Sequence, residues 1–274
     1  MSTALITGAS RGIGAVYADR LARRGYDLIL VARGETRLKA LAANLARETA
    51  RTVDVLAANL NDKADLARVE ARLRQDRNIT MLVNNAGTAA LTPLVDSDVD
   101  EMEAMIDLNI TALTRLVYAA APAFVARGAG TLINIASVGG IAAEALNGVY
   151  CASKAYVIAL SHSLNHELAD KGIRIQAVLP GATATDLWEA SGRPWQQLPP
   201  EIVMSAEDMV DAALAGLDQG ERVTLPSLQD AGEWTRFEAA RRAMSAHFGN
   251  SVPAPRYRIG VPTAPDVSRR AGLL

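Results

Sequence analysis

Seven short runs of strand-forming residues alternate with long helical patterns from the N-terminus to about residue 228, and this alternation narrows the chain to stacked βαβ units on a parallel sheet. The runs read TALIT, DLILVA, VDVLAA, TMLVNN, TLINIAS, IRIQAVL and RVTLPS. Between them lie AVYADRLARRG, ETRLKALAANLARE, KADLARVEARLRQD, the long stretch from Asp98 to Arg127, and YCASKAYVIALSHSLNHELADKG. Apolar residues in these segments recur at three- and four-residue spacing, which lays an apolar stripe along each helix. Gly25, Gly128 and Gly172 follow three of the helical patterns, where a left-handed residue stops a helix. Right-handed crossovers between such elements give an α/β fold of the doubly wound, Rossmann type, with seven parallel strands flanked by helices. Ligands in that architecture bind beyond the carboxyl ends of the strands, so functional residues are expected in the loops that follow them.

A chain of 274 residues, 50% of them hydrophobic, can bury one large core. Residues 1–249 read as one domain, and 250–274, with Pro253, Pro255, Pro262 and Pro265, as a proline-rich tail. The 28 basic and 30 acidic residues are interspersed, leaving a formal charge of -2 and no block able to neutralise a nucleic-acid backbone or an anionic membrane. Neither partner is expected. A single cysteine, Cys151, rules out an internal disulfide and suits a reducing compartment. Met1 to Ile6 lacks a basic leader, and apolar stretches such as LVYAAAPAFVA fall short of the ~18 residues that span a bilayer, so a soluble, cytoplasmic protein is expected. His162 and His166 are spaced as a helical pair but lack the acidic context of a metal helix, and no metal is expected.

TALIT-GASRGIG-AVYADRLA runs strand, turn, helix, with Gly8, Gly12 and Gly14 spaced G-x-x-x-G-x-G. Glycine lets the backbone take otherwise costly angles and approach a ligand, while the free N–H groups of the next helix's first turn attract an anion such as pyrophosphate. A glycine-rich turn without a ligand would show the same spacing. Three further motifs follow in order along the chain: NNAG at Asn84 to Gly87, Tyr150-x-x-x-Lys154, and Pro180-Gly181. Together with TGASRGIG they resemble the short-chain dehydrogenase/reductase family, over roughly residues 2 to 228. That resemblance implies hydride transfer between a nicotinamide dinucleotide and a carbonyl or secondary alcohol. It also implies a cofactor site of Gly8, Ser10, Arg11, Gly12, Ile13 and Gly14, then Arg33, Asn59 and Leu60, then Asn85, Ala86 and Gly87. Tyr150, Lys154, Pro180, Gly181, Thr183 and Thr185 complete it.

Proteins of this architecture that bind NAD usually end the second strand with an acid for the ribose hydroxyls, whereas those accepting the extra 2′-phosphate place arginine nearby. Here Ala32 stands at the acid's position and Arg33 follows, and Arg11 sits where NADP-using family members carry a basic residue. NADP(H) is therefore expected over NAD(H), although both arginines could be solvated charges and Glu35 could still be a ribose ligand. Asn59 stands where the family often has an acid for the adenine amino group, and its side-chain carbonyl can accept the same hydrogen bond.

Tyr150 and Lys154, four apart in a helical pattern, share a face. For a tyrosine to exchange protons near pH 7 its pKa must fall by ~3 units, or ~4 kcal/mol, which one ammonium about 4 Å away supplies at an effective dielectric of ~20. Such pairs also occur on ordinary helix surfaces. Ser137 ends the TLINIAS run, where its hydroxyl could stabilise charge on a reacting oxygen or simply cap the next element. Asn109 lies within a long helical run that asparagine disfavours. The resemblance implies a catalytic tetrad of Asn109, Ser137, Tyr150 and Lys154, with Tyr150 as general acid or base.

It further implies a mobile substrate lid at about 182–205, whose Leu187, Trp188, Trp195 and Leu198 suggest an apolar carbonyl substrate or acyl chain unless these side chains pack on the body. A homo-oligomer, dimer or tetramer, is expected through the two long helices holding Asn109 and Tyr150. The alternative is an NADP(H)-binding sensor or regulator without turnover, against which the intact tetrad speaks. Epimerase or dehydratase chemistry of the extended branch fits neither the glycine spacing nor the chain length.

Overall fold

The computed structural model describes residues 2–257. The strands are β1 (Thr3–Thr7), β2 (Asp27–Ala32), β3 (Val53–Ala57), β4 (Ile79–Asn84), β5 (Gly130–Ile135), β6 (Ile173–Val178) and β7 (Val223–Thr224). The helices are α1 (Gly12–Arg23), α2 (Glu35–Thr49), α3 (Lys63–Gln75), α4 (Val99–Ile106), α5 (Leu113–Arg127), α6 (Gly148–Leu168), α7 (Leu187–Ala190), α8 (Ala206–Asp218) and α9 (Ala231–Ser245). All seven strands pair in parallel in the order β3-β2-β1-β4-β5-β6-β7, a doubly wound Rossmann-type sheet. Each residue of β1 is buried, because helices cover both faces of the sheet. On one face Tyr17 and Leu21 of α1, Leu38 of α2 and Met209 and Leu214 of α8 pack on Ile6, Leu30 and Val83. On the other, α3 packs beside α5, and α5 and α6 lie against β4, β5 and β6.

Strand order reverses between β1 and β4, so successive crossovers leave in opposite directions and open a crevice at the carboxyl ends. Side chains tie that point together. Thr7 Oγ1 accepts from the N–H groups of Asn85 and Ala86, each at 3.0 Å, while Asn85 Nδ2 donates to Thr7 O at 2.9 Å and Gly8 O at 3.2 Å. The NNAG motif thus braces the glycine loop.

Two strand runs end two or more residues earlier than the sequence suggests. TLINIAS is a strand only to Ile135, and beyond it Ser137 caps a 3-10 turn over Val138–Gly140 by accepting from Gly139 N–H at 3.1 Å. RVTLPS pairs only at Val223–Thr224, close before Pro226, which has no N–H to donate. Asn109 lies in a π-helical turn, Asp107–Ala112, that joins α4 to α5. The continuous helical run Val99–Arg127 is long and apolar enough, by length and composition, to cross a membrane, which the separate apolar stretches do not reveal. Its Met102, Met105, Asn109, Leu116 and Phe124 are buried in the protein. On the outer faces of α5 and α6, where the subunit contact is expected, Tyr118 is exposed and Thr114 Oγ1 shares a 2.9 Å hydrogen bond with Tyr156 OH.

A first compact unit ends at Ser227 and a second begins at Leu228, whereas the sequence reading draws its one boundary after residue 249. Within the second unit, α9 stacks Trp234 on Phe237 at 5.2 Å between ring centroids and pairs Glu238 with Arg241 through two 2.9 Å hydrogen bonds. Pro262 and Pro265 of the expected tail lie outside the described residues.

Candidate active site

The crevice widens into a cleft of about 990 Å3, lined by every residue assigned above to the cofactor site except Gly14. Its base is the glycine loop. Gly8 and Gly12 sit at φ of 65° and 54°, in the left-handed region. A Cβ on Gly8 would lie 2.7 Å from Asn85 Nδ2 and 2.9 Å from Ala86 Cα, and one on Gly12 3.1 Å from Thr185 Cγ2. Gly14 serves packing: a Cβ there would stand 2.4 Å from Gly8 O, so only glycine lets α1 close onto the loop. Residues Asp62, Asp98, Asn147 and Ser205 cap α3, α4, α6 and α8 with their side chains, whereas α1 starts uncapped, behind an extended Arg11 and with no acid in its first turn. Its first N–H groups are left as donors for an anion in the cleft. A cradle that any Cβ would fill, beside an uncapped helix, fits a dinucleotide pyrophosphate.

At the end of β2, Ala32, Arg33 and Arg37 line the cleft where α2 also begins without a side-chain cap. Arg37 is a cation the sequence reading missed, one helical turn beyond Arg33 in R-G-E-T-R. The Glu35 carboxylate turns to Lys39 Nζ at 2.7 Å, and this ammonium holds its carboxyl below the usual range. Asn59 Oδ1 accepts a 3.3 Å hydrogen bond from Asn61 N–H, leaving its second lone pair for an adenine. Arg11 is paired across the cleft, its Nη1 2.9 Å from Asp186 Oδ2.

Ser137, Tyr150 and Lys154 line one wall together, and Asn109 stands behind it. The Asn147 side chain accepts from Val149 and Tyr150 N–H and so fixes the start of α6, while its Nδ2 donates to Thr92 O at 2.7 Å. An asparagine directly before a helical run is a capping signal that could have found it. Asn109 Oδ1 accepts from Thr88 N–H and its Nδ2 donates to Thr88 O, both at 2.9 Å, and to Ser153 Oγ at 3.0 Å. It thereby staples the NNAG loop to α6. Lys154 Nζ donates to Ile135 O at 2.9 Å and lies 5.8 Å from the centre of the Tyr150 ring.

The proton affinities correct one expectation. Burial pushes the Tyr150 phenol up, opposed by its hydrogen bond with Ser137, and Lys154 does not bring it down. Burial also lowers Lys154 to about 8. Removing water outweighs the attraction between two neighbouring groups that are both buried. Between pH 8 and the unfolded lysine value near 10.4 the unfolded chain binds the extra proton, so stability rises with pH in that window. The stability of the wild type relative to Lys154→Met should therefore grow by about 1–3 kcal/mol from pH 8 to 10 in denaturant titrations. A difference that stays flat would refute the buried, depressed ammonium.

Beyond Tyr150 the cleft is lined largely by apolar side chains, Met102 and Met105 of α4, Leu146, Leu187 and Trp188, with Glu101 of α4 also on the lining. The two methionines were missed, although their i, i+3 spacing places them on one face of α4, the first α-helix after β4. Of the expected lid wall, Leu187 and Trp188 line the cleft, but Trp195 and Leu198 do not. Trp188 Nε1 donates to Thr183 O at 3.0 Å, which turns its ring inward. The two ends of the expected lid are tied together: Ala184 N–H donates to Met204 O and Met204 N–H to Ala182 O, each at 2.9 Å. Among the described residues, no group of three or more His, Cys, Asp or Glu side chains is placed to hold a metal.

The short chain dehydrogenase family model matches residues 2–195, and the chain belongs to that family. A short-chain dehydrogenase from Sphingobium yanoikuyae, solved in complex with NADPH, superposes with a TM-score of 0.92 at 48% identity, covering 94% of this chain and 100% of that one. The bulky-bulky ketone specific alcohol dehydrogenase from Comamonas testosteroni gives 0.87 at 44% identity, over 94% and 98% of the two chains. An uncharacterized oxidoreductase of Staphylococcus saprophyticus is 32% identical over 228 residues, 81% of this chain and 93% of the relative. The protein is accordingly an oxidoreductase acting on CH–OH or C=O groups with a nicotinamide dinucleotide.

Proposed function

We propose that the protein uses NADP(H) to interconvert an apolar ketone and its secondary alcohol, with Tyr150 as the general acid or base. The observation that carries this reading is the convergence of Ser137, Tyr150 and Lys154 on one wall of the cleft, between the glycine cradle and an apolar chamber. When bound, the cofactor supplies or takes up the hydride. Tyr150 Oη passes the proton to or from the substrate oxygen, and Ser137 Oγ donates a hydrogen bond to that oxygen as charge builds on it. Lys154, on the same wall, would hold the ribose of a bound cofactor. Asn109 keeps the loop carrying Gly87 against α6, so the wall holds its shape.

Arg33 and Arg37 beside Ala32 support NADP(H), as does the relative solved with NADPH. The Comamonas enzyme, named for bulky-bulky ketones, supports a ketone substrate, and the methionine and tryptophan lining supports an apolar one. Screening NADPH consumption against aryl and alkyl ketones, sugars, carboxylated ketones and acyl thioesters tests the reading; turnover confined to charged or sugar substrates would overturn it. Arg33→Ala should weaken NADPH binding about tenfold, the worth of one good charge-assisted pair, and leave NADH within twofold in a fluorescence titration. Equal losses for both cofactors would remove Arg33 from the phosphate site.

A further inference from the structure

We propose that Asp186 sets the balance between the two nicotinamide dinucleotides, by holding Arg11 in an ion pair that only a cofactor with a 2′-phosphate gains by breaking. The proposal rests on the reading of Arg11 as a phosphate ligand. Arg11 Nη1 and Asp186 Oδ2 meet at 2.9 Å across the mouth of the cleft, and 175 residues separate them in sequence. Their meeting is built into the fold: Thr185, the preceding residue, lies against Gly12, with its Cγ2 3.1 Å from where a Cβ would stand. Asp186 precedes α7 without capping it, so its carboxylate is not engaged by its own helix.

The other cations at this end are differently placed. Among the described residues Arg33 and Arg37 join no ion pair, and the nearby acid Glu35 is held by Lys39. The cleft therefore presents two open guanidinium groups on the α2 side and one occupied on the α1 side. Arg11 and Asp186 are each about half exposed, at 46% and 50% of their side-chain surface, and a pair so well hydrated is easily exchanged for a doubly charged phosphate gripped by a planar fork. A cofactor carrying that phosphate competes with Asp186 for the Arg11 guanidinium, which the carboxylate holds through Nη1. One without the phosphate binds with the pair intact. Asp186 thus holds down the preference for NADP(H) that the three arginines would otherwise express, and the release frees the first residue of the lid helix's approach.

Isothermal titration of NADPH and NADH into the wild type, Asp186→Asn, Arg11→Gln and the double variant tests this. Asp186→Asn should tighten NADPH about threefold, leave NADH unchanged, and lose its effect in the Arg11→Gln background. Equal tightening of both cofactors would mean that the carboxylate merely repels the pyrophosphate, and would overturn the proposal; so would unchanged or weaker NADPH binding. A wild type that binds both cofactors alike, whatever stands at position 11, would defeat the NADP(H) reading itself. Preference for NADPH that depends on Arg11 but ignores Asp186 would defeat only the inference about Asp186.

Discussion

Tyr150→Phe should lower kcat by about 10²- to 10⁴-fold, the usual worth of a positioned acid or base, while NADPH affinity changes less than threefold. The substitution removes one hydroxyl and keeps the ring, which is buried with Met102, Met105 and Cys151, so neither the fold nor the apolar chamber loses its packing. The raised pKa of the buried phenol sharpens the expectation. Near neutral pH Tyr150 holds its proton and stands ready as an acid, which suits reduction, whereas oxidation needs the phenolate and should quicken as pH rises. Steady-state rates in both directions, alongside a cofactor titration, check this. A Phe variant keeping a tenth of wild-type turnover would move the acid elsewhere.

Gly14→Ala is expected to cost about 2–3 kcal/mol of stability, a fall of several degrees in Tm, and to weaken NADPH binding more than tenfold. An added Cβ would stand 2.4 Å from Gly8 O and 2.5 Å from Asn85 Nδ2. Those atoms are backbone and a side chain already held by Thr7 O and Gly8 O, so α1 must lift off the loop it covers. Gly148→Ala is the control, since nothing lies within 4 Å of its Cβ position and alanine favours a helix. Thermal melts of both variants decide the matter; if Gly14→Ala melts like Gly148→Ala, the close approach of helix and loop has no energetic weight.

The sheet was legible because parallel strands covered on both faces read as nearly continuous aliphatic runs, as DLILVA does, and because glycines punctuate the helices. The candidate site was legible where one motif marks one place: the glycine spacing at the base of the cleft, and Tyr150 with Lys154 on its wall. What escaped depends on burial or on distant partners. Periodicity sees Asn109 as a poor helix former but not the π turn it occupies, nor that its amide spends every contact on Thr88 and Ser153. Pro122 sits inside α5 although proline usually ends a helix. The upward shift of Tyr150 follows from desolvation, which no spacing of residues reports. The partner of Arg11 lies in another loop altogether, beyond the reach of local pattern.

The tied base of the segment between Ala182 and Met204 bears on how such an enzyme can change. Because Ala182, Ala184 and Met204 bond to one another, the twenty-odd residues between them form a loop whose ends meet before it reaches the chamber. Closing a longer or shorter loop on that fixed base adds little to its entropic cost, which grows only with the logarithm of length. The segment is in effect an exchangeable cassette: its length and side chains can be rewritten to reshape the space above Tyr150, while the sheet, the glycine cradle and the wall of Ser137, Tyr150 and Lys154 stay as they are.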